Sequence, residues 1–173
     1  MNRNSSRDCN VAGPRDFNEP RSGDGLWGAP PPYRPPSAAE RAALARVYDD
    51  VDAALAADSR ACRACGKCCR FEPGGIVLFA SAMELAYLVS ESGWPSARSS
   101  SESSAPESWR CPYQDGDRCT ARRGRTLGCR TYFCDDAARA RGERIHAEAL
   151  ARIKAIAGPE AWWYGPARTC LDR

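Results

Sequence analysis

Leu44, Val47, Tyr48, Val51 and Leu55 recur at i, i+3, i+4, i+7 and i+11, an apolar stripe among polar and alanine positions. Ser37 and Glu40 precede the stripe with capping-box spacing, in which each side chain bonds the other's free backbone N–H. This pattern predicts a helix over about 38–57. A short apolar run at 76–79 follows the turn residues Pro73, Gly74 and Gly75 and predicts a brief strand. A second capping box, Ser81 with Glu84, opens a helix carrying Met83, Leu85, Tyr87 and Leu88. Asp135 and Asp136 can cap a third helix over about 136–157, where Ile145, Ala149, Ile153 and Ile156 form the stripe and Gly158-Pro159 the stop. Gly142 inside it weakens that helix by roughly 1 kcal/mol relative to Ala.

Two stretches lack such a pattern. Residues 1–36 have no apolar period and end in the proline-rich run 28–36, which predicts a disordered arm, with a polyproline ligand as the alternative. Residues 90–108 hold nine Ser and two Pro and predict a surface loop. The ordered part is then a single small domain over 37–173, mainly α with short β and long loops.

Composition changes this picture in one respect. Leu, Ile, Val and Phe number 22 of 173 residues, below the roughly 20% under which chains drift towards disorder. Such a core needs a further constraint, and the ten cysteines supply a candidate. There is no run of 18 apolar residues, so no transmembrane helix is expected, and no apolar segment near the start resembles an export signal. A cytosolic location is therefore expected, where thiols stay reduced and clustered cysteines hold metal more often than disulfides. The net charge of +3 is carried by 23 Arg and 2 Lys and, beside the alanine excess, reads as compositional bias.

Eight cysteines fall in two groups, Cys62, Cys65, Cys68 and Cys69, then Cys111, Cys119, Cys129 and Cys134. Two residues between cysteines allow a turn that brings both sulfurs to one ion, and zinc takes four thiolates tetrahedrally. Eight ligands complete two four-thiolate sites or one polynuclear cluster. Cys62, Cys65 and Cys68 also match the first three ligands of the bacterial ferredoxin run, and Cys111-Pro112 its closing pair, although Glu72 stands where the fourth ligand of that run would fall. Zinc is the favoured metal on these grounds, with iron or an iron-sulfur cluster as the alternative. A disulfide framework fits poorly, because Cys68 and Cys69 are adjacent, and the pair Cys65–Cys68 lacks the βαβ setting of a thioredoxin-like site.

Ten cations surround the two groups (Arg60, Arg63, Lys67, Arg70, Arg110, Arg118, Arg122, Arg123, Arg125 and Arg130) against Asp115 and Asp117. Nearby cations stabilise thiolates. The competing reading is a zinc-stabilised nucleic-acid surface with Tyr132 and Phe133 for stacking, disfavoured because the thiolates already give the arginines a charge to balance. Cys9 and Cys170 lack ligand spacing, and His146, the one histidine, is expected to face solvent or pack. Trp162, Trp163 and Tyr164 are expected to fold back over the small core. No Ser/His/Asp set, phosphate-binding glycine loop or paired carboxylate suggests catalysis.

The order CxxCxxCC at Cys62, Cys65, Cys68 and Cys69, then Cys111-Pro112 with Cys119, then Cys129-Arg130-Thr131-Tyr132-Phe133-Cys134, resembles the YkgJ-type cysteine-cluster proteins, described as zinc- or iron-chelating. The resemblance spans about residues 62–134. It departs at Thr126, where the family usually has Pro after the residue matched by Arg125, a difference in turn rigidity rather than in ligands. It implies metal chelation by the eight cysteines and no settled reaction. The expected architecture is about three helices around a metal-nucleated cysteine cluster.

Overall fold

The computed structural model describes residues 31–56, 66, 69–70, 77–95, 110–133 and 136–167, with only the backbone at 136 and 137. Helix α1 runs Ala38–Ala56, strand β1 Phe79–Ser81, helix α2 Ala82–Ser92, strands β2 Gln114–Asp115 and β3 Arg118–Cys119, helix α3 Leu127–Thr131, helix α4 Asp136–Ala157 and strand β4 Tyr164–Pro166. The architecture is mainly helical with short strands, as the residue pattern predicts.

Helix α1 starts as its capping box requires. Ser37 N–H donates to Glu40 Oε2 at 2.7 Å and Glu40 N–H to Ser37 Oγ at 3.2 Å. Its stripe is the core: Leu44, Val47, Tyr48 and Val51 are buried with Met83, Tyr87, Leu127, Ala149 and Ile153, and Leu55, Ile145 and Ile156 pack on the margin. Helix α4 thus lays its stripe on that of α1. Arg141 Nη2 donates to the Ala54 carbonyl at 2.6 Å, satisfying one of the acceptors that a helix end leaves open.

The strand predicted at 76–79 begins instead at Phe79, and Ile76 lies outside the described residues. Its register is set by a distant segment that local hydropathy cannot see. Strand β1 pairs antiparallel with β4, Phe79 opposite Pro166, Ala80 opposite Gly165 and Ser81 opposite Tyr164. Two further backbone bonds, Ala82 N–H to Trp163 O at 3.2 Å and Ala167 N–H to Leu78 O at 2.9 Å, extend the attachment. The aromatic run therefore folds back as expected: Trp163 is buried against Leu85, Leu88 and Tyr113, and Trp162 lies against the α1–α4 core.

Helix α2 begins directly from β1 through the predicted box of Ser81 and Glu84. The serine-rich stretch divides: residues 90–92 complete α2, and 96–109 lie outside the described residues, as do 1–30 of the predicted arm. The sequence pattern did not reveal α3 or the β2–β3 hairpin. Each is too short to establish a period, and the hairpin's two strands have two residues apiece.

Gly142 also differs from its expectation. A Cβ there would stand 2.4 Å from the Thr131 carbonyl oxygen and 3.2 Å from Phe133 Cδ2. The residue that weakens α4 in isolation is what lets α3 approach it.

Candidate functional site

Of the eight predicted ligands, Cys69, Cys111, Cys119 and Cys129 are described, and Cys62, Cys65, Cys68 and Cys134 lie outside the described residues. No disulfide joins the four, which are all half-buried. Among the described residues no three His, Cys, Asp or Glu side chains gather as a metal-holding set.

The backbone nevertheless brings Cys69 of the first group and Cys111 of the second together. Cys111 N–H donates to the Cys69 carbonyl at 2.7 Å, and the adjoining residues Arg70 and Arg110 form an antiparallel bridge. The end of the first group thus lies across from the start of the second. One turn earlier, Cys69 N–H closes on the Gly66 carbonyl at 3.0 Å. That carbonyl also accepts from Gln114 Nε2 at 3.3 Å, while the same amide nitrogen bonds Gly116 O at 3.0 Å. Gln114 sits opposite Cys119 in the β2–β3 pair, so its side chain clips Gly66 to the hairpin that carries Cys119.

Gly66 is required at this junction on two counts. Its φ is +67°, and a Cβ would lie 2.6 Å from Gln114 Nε2 and 3.1 Å from Asp117 Cα. Neither Gln114 nor Gly66 was selected from the sequence as more than a spacer. A glycine directly after Cys65 and two residues before Cys68 is the signal that could have marked one of them.

The hairpin is anchored from the other side. Tyr113 Oη donates to Gly93 O at 2.8 Å, and Thr120 bonds the Tyr113 carbonyl through its N–H at 2.8 Å and its hydroxyl at 2.9 Å. Burial, reinforced by the nearby Cys111, pushes the Tyr113 phenol up to about 12. Cys111 and Cys119 pack against the cluster of Ala80, Leu85, Leu88, Tyr113, Ala121 and Trp163.

Cys129 stands on α3, and a buried polar hub holds that helix. Thr126 Oγ1 donates to Cys129 Sγ at 3.4 Å. Glu84, fully buried, accepts from Leu127 N–H at 2.7 Å and Tyr48 Oη at 3.3 Å with one oxygen. The other oxygen accepts from Ser81 N–H at 2.8 Å and Ser81 Oγ at 2.9 Å. One carboxylate therefore joins the starts of α2 and α3 to the middle of α1. Burial pushes its pKa up, and the Ser81, Leu127 and Tyr48 donors pull it part of the way back.

Arg130, next to Cys129, lies 4.1 Å over the Tyr48 ring and ion-pairs with Asp52 at 2.5 Å. It also donates to the carbonyls of Arg125 at 2.9 Å and Arg123 at 2.6 Å. These contacts tie Arg130, and with it α3, to α1 and to the segment before α3. Arg125 likewise donates to Arg122 O at 3.2 Å.

His146 packs rather than facing solvent. Thr131 Oγ1 lies 2.9 Å from its Nδ1 and Tyr164 Oη 3.4 Å from its Nε2. Because the Thr131 hydroxyl proton goes to Leu127 O at 3.0 Å, Nδ1 carries the imidazole proton and Nε2 accepts from Tyr164. Burial lowers its pKa, which favours this neutral form. Tyr132 and Phe133, the aromatics considered for base stacking, are both half-buried, with Phe133 against α4 at Gly142.

No described helix is long and apolar enough to cross a membrane. Comparison with protein-family models, curated proteins and solved structures finds no match.

Proposed function

We propose that this protein binds metal ions, zinc in the first instance, through Cys62, Cys65, Cys68, Cys69, Cys111, Cys119, Cys129 and Cys134, in a structural or metal-handling role. The observation that carries the reading is the bond from Cys111 N–H to the Cys69 carbonyl, which brings together the ends of two groups separated by the serine-rich stretch. The Gln114 clip on Gly66 supports it, since it fastens a residue within the CxxCxxCC motif to the Cys119 hairpin. The donor chemistry fits as well: thiol sulfur is a soft ligand suited to zinc or to iron-sulfur centres. The thin hydrophobic core gives the metal a second role, nucleating the fold, because structural zinc binding contributes roughly 10–16 kcal/mol in small peptides. A reducing cytosol would keep the thiols available.

Anaerobic purification followed by elemental analysis and a visible spectrum tests the reading. Zinc bound in stoichiometric amount to a colourless protein is the expected result. A brown protein with absorption near roughly 400 nm that bleaches on reduction would replace zinc with an iron-sulfur centre. A folded chain carrying neither metal would overturn the proposal.

A further inference from the structure

Arg70 and Arg110 face each other directly across the bridge between the two cysteine groups. The framing bond runs from Cys111 N–H to Cys69 O, so the arginines occupy the narrow, non-hydrogen-bonded pair, whose Cα atoms approach to about 4.5 Å. Like charges opposed at such a pair are destabilising. Each guanidinium also has its Nε buried with no hydrogen-bond partner. No acidic side chain among the described residues pairs with either.

We propose that Arg70 and Arg110 form a seat for a tetrahedral oxyanion of the phosphate class. Two guanidinium groups carried side by side on half-exposed residues can both donate N–H bonds to such an anion, and any inward movement of the anion would give the Nε–H groups the acceptors they lack. The anion supplies the countercharge that the opposed pair needs. The seat uses the two arginines and none of the proposed cysteine ligands.

The test uses the full chain as purified, with the metal it carries, titrated calorimetrically with inorganic phosphate at low ionic strength. Saturable one-to-one binding is expected, weakened roughly tenfold or more in Arg70→Gln and in Arg110→Gln, and unchanged in the exposed control Arg122→Gln. Phosphate should also raise the melting temperature of the wild type and leave that of Arg110→Gln in place. A variant that failed to fold would show no transition to shift, so the other single variant carries the comparison. Absence of saturable binding, or binding by both arginine variants as tight as that of the wild type, would overturn the site. So would binding only after a chelator has stripped the metal, since the thiolate centre would then be the arginines' own countercharge.

Discussion

Replacing Gly142 with Ala sets two physical effects against each other within one methyl group. In an exposed helix interior the change would stabilise by about 1 kcal/mol through helix propensity. At this site the added Cβ stands 2.4 Å from the Thr131 carbonyl oxygen. An ordinary contact is roughly 3.4 Å, so the α3 and α4 backbones would have to part by about 1 Å, or the Cβ would remain in a steep overlap. The obstacle is backbone rather than a flexible side-chain end, and Phe133 Cδ2 at 3.2 Å closes the sideways escape. Taking overpacking at the upper end of its usual range, about 3 kcal/mol, and subtracting about 1 for propensity leaves a net destabilisation of about 2 kcal/mol. Urea unfolding followed by far-UV circular dichroism at one fixed metal loading measures it. Gly142→Ala equal to or more stable than wild type would refute the close approach of α3 to α4.

Glu84→Gln should destabilise by about 1–3 kcal/mol, because each carboxylate oxygen accepts from a backbone N–H and either orientation of the amide turns an NH2 group against one of them. The raised pKa of Glu84 fixes a sign as well. A carboxyl that holds its proton more tightly when folded contributes stability below its unfolded pKa and loses it as pH rises through the folded value. The gap between wild type and Glu84→Gln should therefore narrow as pH is raised through that range, and a gap that widens in denaturant titrations would contradict the assignment. Gly66→Ala should lower stability by about 2 kcal/mol, combining left-handed backbone strain with the overlap on Gln114, and should lower bound metal in the same preparation; unchanged melting and metal content would remove Gly66 from the junction.

The three longer helices were legible because their determinants are local. The boxes at Ser37–Glu40 and Ser81–Glu84 fix two starts, and the stripes of α1 and α4 fix the buried faces. The start of β1 was not legible, since pairing with Tyr164–Pro166 decides it. Glu84 shows the boundary within one residue. Its capping bond to Ser81 is written in the spacing, whereas its bonds to Tyr48 and Leu127 depend on how α1 and α3 are packed. The candidate site divides in the same way. Spacing identifies the cysteines, but the apposition of Cys69 with Cys111 and the Gln114 clip arise from long-range pairing. The arginines divide too, as Arg130 serves the α3 hub and Arg70 and Arg110 oppose each other.

The most direct test of the central claim is the metal content and melting temperature of Cys129→Ser and Cys65→Ser, measured together on the same anaerobic preparations as wild type. If the clustered cysteines hold the metal and the metal supports the fold, both variants lose metal and melt at lower temperature. Full metal content with an unchanged melting temperature in either variant would contradict the account.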